Sequence, residues 1–187
     1  MRFFQDGRKP EKMDYTGHED WLPANEDGVR SQTNQSLCLS NQYAFDWFTN
    51  NAVNWMLTNC QNADYVSIWS ADTIRLELCR CRECFSKFRT PPYKSATDWY
   101  LLMHNAIRRK LDEQGWYNSF GWISYHGSED PPNHVRLYEK GRNMDFLYAP
   151  RPRGGTQHGP LNNEHPLSFK YRQNLKAWLD YLDAQDY

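Results

Sequence analysis

The strongest constraint on the fold is an alternation: short β-branched or aromatic runs separated by amphipathic stretches long enough to be helices. Phe45, Phe48, Ala52, Trp55 and Met56 recur at three and four residues and predict a helix, capped by Ser40 or Asn41, reaching about Cys60. Tyr65-Val-Ser-Ile-Trp-Ser70 reads as a buried strand, with Trp69 in its interior. In Ser95-Ala-Thr-Asp98 the spacing is that of a capping box, opening a second helix along Trp99, Leu102, Met103, Ala106, Ile107 and Leu111, with Gly115 as its stop. A second strand follows from Ser119 to Tyr125, carrying Trp122, and a third at Met144-Asp-Phe-Leu-Tyr148. Between them Val135-Arg-Leu-Tyr138 is a short extended piece. Pro166, in a favoured first-turn position, opens a last helix along Leu167, Tyr171, Leu175, Trp178, Leu179 and Leu182. Strands alternating with helices imply an α/β fold, parallel strands and right-handed crossovers.

Residues 1–40 break this pattern. They are polar, with turn chemistry at Asp20-Trp-Leu-Pro23 and Asn25-Glu-Asp-Gly28, and read as an irregular excursion ending at Leu37-Cys38-Leu39. The expected division is therefore 1–40 irregular and 41–187 the folded domain. A net charge of -1, from 22 basic and 23 acidic residues, argues against a nucleic-acid partner. A mean hydropathy of -0.93 and the lack of a long apolar run argue against a membrane span. The opening residues hold no apolar core of a signal peptide. No glycine-rich phosphate-binding turn is present, so a nucleotide cofactor is not expected.

Polar candidates cluster just after each strand: Asp72, then His126, Glu129 and Asp130, then Arg151 and Arg153. At the carboxyl edge of parallel strands such residues are placed for ligands, in open sheets and barrels alike; the barrel is the preferred architecture. Asp72 is either a catalytic carboxylate or a brace for its loop. Glu129 and Asp130 are its candidate partners, or solvated turn residues ahead of two prolines, with Glu77 in reserve. For His126 the choice is between a hydrogen bond to a sugar hydroxyl and a structural role. Arg151 and Arg153 suit bidentate binding of a carboxylate, or form a solvated charged turn. Trp69 and Trp122 read as core.

Five cysteines are present, three of them within six residues, Cys79, Cys81 and Cys84. Soft thiolates clustered in an Arg-rich polar loop suit a metal ion. Reduced thiols or a Cys81–Cys84 disulfide are the other readings, and Cys60 reads as plain packing. A redox role for Cys81-Arg-Glu-Cys84 lacks the helix N-terminus that such motifs use.

Leu37-Cys-Leu-Ser-Asn41, Val66-Ser-Ile-Trp-Ser-Ala-Asp72, Cys79-Arg-Cys-Arg-Glu-Cys84 and Ser124-Tyr-His-Gly-Ser-Glu-Asp-Pro-Pro132 resemble a bacterial domain-of-unknown-function family. That family is related to glycoside hydrolases of the α-glucuronidase and β-hexosaminidase kind. The resemblance covers about residues 36 to 187 and implies a (β/α)₈ TIM barrel, a carbohydrate ligand and hydrolysis by carboxylates at strand ends. It also implies Cys38 as the fourth ligand of a structural zinc, with Cys79, Cys81 and Cys84, and a periplasmic or secreted parent. Ala71 stands where the family carries Asn before the aspartate, which puts a substrate-orienting amide in doubt and leaves a non-catalytic carbohydrate-binding or scaffold domain as the alternative. Three convincing strands are too few for a barrel of eight. The chain is therefore expected to be a portion or a stripped-down relative of one, its exposed edges covered by the remainder of the barrel or by a second chain.

Overall fold

The computed structural model describes residues 16–31, 37–68, 78–88, 96–124, 130–132, 144–148 and 166–184. Helix α1 (Gln42–Asn59) begins where the sequence places it, and of the two candidate caps Asn41 is the one used: its side-chain oxygen accepts from the Ala44 amide at 3.0 Å. Phe48, Ala52, Val53 and Met56 bury its inner face. Strand β1 (Tyr65–Ile68) follows, then α2 (Arg82–Phe88), α3 (Ala96–Glu113), β2 (Ser119–Ser124), β3 (Met144–Tyr148) and α4 (Pro166–Asp183).

The three strands form one parallel sheet in the order β1-β2-β3. Ile68 pairs with Trp122 and Ser124 with Tyr148, so the carboxyl ends lie side by side. The fold is mixed α/β, and among the described residues the sheet does not close into a barrel. Asn118 sets the register of β2 by donating to the Ala63 carbonyl at 2.9 Å, next to the bond from the Ser119 amide to Asp64 at 3.1 Å.

Helix α3 packs on α1 and on β2. Leu101, Met103, Ile107 and Leu111 are buried, and Gly115, at φ +73°, reverses the chain so that the Trp116 amide closes on the Leu111 carbonyl at 3.0 Å. Arg108 braces the same turn: it grips Asp112 at 2.6 Å and donates to the main-chain carbonyls of Trp116 and Asn118. Lys110 bridges to α1 through Thr49 at 2.8 Å and Asn50 at 2.7 Å. Asp98 is fully buried; its capping-box partner Ser95 lies outside the described residues, as do Trp69 and the Val135–Tyr138 piece.

Helix α2 corrects the expectation of an uninterrupted cysteine loop. It is seven residues long and polar, with Cys84 buried and Phe85 exposed, so no apolar stripe announces it. The segment at 16–31 also carries more order than its polar sequence suggests. Glu19–Trp21 is a 3-10 turn. Asn25 closes a tight reversal by accepting the Asp27 and Val29 amides at 3.0 and 2.8 Å, and Ala24 and Arg30 pair across it. No helix among the described residues is long and apolar enough to cross a membrane.

Candidate metal centre

Four cysteines converge from two distant parts of the chain. Cys38 lies just before α1, while Cys79, Cys81 and Cys84 lie in the loop and first turn of α2. All four sulfur atoms are within 4.8 Å of one another. Cys38, Cys79 and Cys84 are each 2% exposed, and Cys81 is half-buried. All four are free thiols in this structure.

The spacing is compatible with a tetrahedral ion. Sulfurs at about 2.3 Å from a tetrahedral ion are about 3.8 Å from each other. The Cys38 sulfur is 3.7 Å from those of both Cys81 and Cys84. Four cysteines so placed could hold a metal ion such as zinc. Four thiolates complete a tetrahedron and leave no open position, which is the chemistry of a structural site.

Three of the sulfurs also meet an N–H or O–H donor. The Ala24 amide points at Cys79 Sγ at 3.2 Å, the Cys84 amide at Cys81 Sγ at 3.4 Å, and the Ser40 hydroxyl at Cys84 Sγ at 2.9 Å. The Arg30 guanidinium bonds the Leu22 carbonyl, and its positive charge favours the Cys38 thiolate. Sequence reasoning missed these supports. Ser40 read as a helix cap, but with Asn41 in that role its hydroxyl is free to face the cluster. Arg30 sits in a turn-rich segment with no pattern to mark it.

In the bare cluster the thiols shift in opposite directions. Cys38 is held far below the usual thiol range because Cys79 and then Cys84 donate to its sulfur. Cys84 is pushed far up, chiefly as the donor to Cys38, and burial pushes Cys81 up to about 11. A divalent cation reverses this balance, so loading must expel protons. Burial pulls the Arg30 guanidinium down, yet the neighbouring cysteine sulfurs, Cys38 foremost, outweigh that and hold it above its ordinary value.

Cys81 in fact immediately precedes a helix, correcting the expectation that this context is absent. Its thiol is nonetheless raised, opposite to the lowered thiol of a redox motif. Cys60, at the end of α1, stands apart from the cluster, its thiol raised by burial.

Of the strand-end candidates only Asp130 is described. Its side chain is exposed, and its main-chain carbonyl accepts from Thr97 Oγ1 at 2.7 Å. Asp72, Glu77, His126, Glu129, Arg151 and Arg153 lie outside the described residues.

No curated protein and no solved structure matches the chain significantly. The family described as Domain of unknown function (DUF4838) matches residues 3–183. With a match spanning nearly all of its 187 residues, the chain belongs to the DUF4838 family.

Proposed function

We propose that the chain is part of a carbohydrate-processing (β/α)₈ barrel braced by a structural zinc centre. The observation that carries the reading is the sheet order. Parallel strands that neighbour one another in chain order are how a barrel is built, an order that one half of a doubly wound sheet shares. Strand ends aligned in this way form one edge of the sheet. Within five residues of those ends the sequence carries Asp72 after β1, His126 and Glu129 after β2, and Arg151 and Arg153 after β3.

In this reading Asp72 is the nucleophile or the stabiliser of an oxocarbenium-like charge, and Glu129 or Asp130 protonates the leaving oxygen. His126 bonds a sugar hydroxyl, and Arg151 and Arg153 take a carboxylate such as that of a uronic acid. Zinc, held by Cys38, Cys79, Cys81 and Cys84, supplies folding energy and no chemistry. The test is Asp72→Asn in the full-length protein, assayed on uronic-acid and hexosamine glycosides. Turnover is expected to fall by about a thousandfold or more while sugar affinity persists.

A second reading, a sugar-binding or scaffold domain without catalysis, is favoured by Asp130, whose backbone is tied to α3 while its carboxylate faces solvent. Sugar binding by the wild-type protein with no hydrolysis of any glycoside would establish it.

A further inference from the structure

Cys84 is 2% exposed, so as a thiolate ligand it would be shut off from solvent. Buried charge is costly unless hydrogen bonds from protein donors offset it. The Cys84 sulfur has such a donor in the Ser40 hydroxyl, at 2.9 Å. The other two donors that meet sulfur in the cluster, the Ala24 and Cys84 amides, belong to the backbone. Ser40 supplies its donor from a side chain, which a substitution can remove without altering the path of the chain.

The position of Ser40 is fixed from both sides. The Asn41 amide closes a turn onto the Cys38 carbonyl at 3.1 Å, and the Cys38 amide is tied to the Trp21 carbonyl at 2.8 Å. One tight turn therefore presents the Cys38 sulfur, 3.7 Å from that of Cys84, together with the Ser40 hydroxyl. Asn41 goes on to cap α1, its oxygen accepting from the Ala44 amide and its own amide donating to Asp20. The cap is complete without Ser40, whose hydroxyl reaches a residue 44 positions away on α2.

We propose that Ser40 is a positioning residue of the metal centre: its hydroxyl donates to the Cys84 thiolate of the loaded site, orienting that ligand and drawing charge from it. This rests on the reading of the four cysteines as a metal site. A hydroxyl has one proton to give, and a metal-bound thiolate has none, so in the loaded site the bond has a single direction. The acceptor is then charged, and loading strengthens the bond. The start of α1 is thereby tied to α2 through a ligand of the centre.

The test loads the full chain with Co(II), whose sulfur-to-metal charge-transfer band reports the thiolates directly, and measures affinity by competition with a chromophoric chelator. Ser40→Ala should still bind one ion, with affinity about tenfold or more weaker. Its charge-transfer band should move to lower energy, because losing the shared proton raises the sulfur donor orbitals. Ser40→Thr, which keeps the hydroxyl, should restore the band position. Asn41→Ala, which removes the helix cap next door, should lower the melting temperature and leave the band where wild type has it. A merely structural Ser40 would behave as Asn41 does.

An unmoved band in Ser40→Ala would overturn the proposal, as would equal band shifts in Ser40→Ala and Asn41→Ala. If Ser40→Ala fails to fold, Ser40→Thr decides: a wild-type band supports the role of the hydroxyl, and a shifted one contradicts it. Wild-type protein that takes up no ion would overturn the metal reading itself, before any variant is compared.

Discussion

His104 is the residue whose burial has the clearest consequence. It lies on α3, 1% exposed, with its ring stacked on Phe120 at 4.1 Å and 9° between the planes. Neither ring nitrogen has a hydrogen-bond partner that meets ordinary geometry. Burial therefore favours the neutral ring and lowers its pKa from 6.5 to about 3, a nearby Gly121 carbonyl opposing this and Arg108 reinforcing it. The folded state binds this proton less readily than the unfolded chain. Stability is then complete above pH 6.5 and falls as the pH drops from 6.5 towards 3. Between pH 7.5 and pH 5 the loss from this group is about 2 kcal/mol. His104→Phe keeps the stacking and removes the titration. Urea unfolding over that pH range should give a flatter profile for the variant than for wild type, and parallel profiles would show that His104 is not buried as a neutral ring.

At the scale of elements, the helices that bury an apolar stripe were legible and the one that does not was hidden. Leu101, Met103, Ile107 and Leu111 give α3 a side to pack, and Phe48, Ala52 and Met56 do the same for α1. Between Arg82 and Lys87 only Cys84 is buried, which ties helix α2 to the cluster. The stop at Gly115 was legible because a left-handed residue after a helix has few alternatives to glycine. Gly115→Ala is expected to cost about 1 kcal/mol through its backbone conformation alone, as no neighbour lies near the added methyl. Gly115→Asn should recover part of that. Chemical denaturation of the two variants checks the order; an alanine variant as stable as wild type would mean the reversal does not depend on that residue's positive φ.

For the whole molecule, the sequence showed which cysteines could share an ion but not what surrounds them. Cys79, Cys81 and Cys84 are close in sequence, so their convergence needs only a tight loop. Cys38, reached through a resemblance, lies 46 residues from Cys84, and only the fold brings them to 3.7 Å. The docking of 16–31 was hidden in part because two of its ties are main-chain bonds, the Arg80 amide to Ala24 at 2.7 Å and the Cys38 amide to Trp21 at 2.8 Å, beside side-chain ties such as Arg80 with Glu26 and Asn41 with Asp20. Backbone pairing of that kind leaves no mark in side-chain pattern. The strand-end carboxylates had a weaker signal still, since a lone Asp after a strand serves loops as readily as chemistry. Among those candidates the described structure adds only the bracing of Asp130.

A metal that ties residues 46 apart should contribute to folding as well as to local order. X-ray absorption at the zinc edge, on protein loaded to saturation and freed of excess metal, tests this centre most directly. The account expects about one zinc per chain with four sulfurs at about 2.3 Å, three sulfurs in Cys81→Ser, and a lower melting temperature in that variant and after chelation. A chain that binds no zinc, or binds it through fewer than four sulfurs, would contradict it.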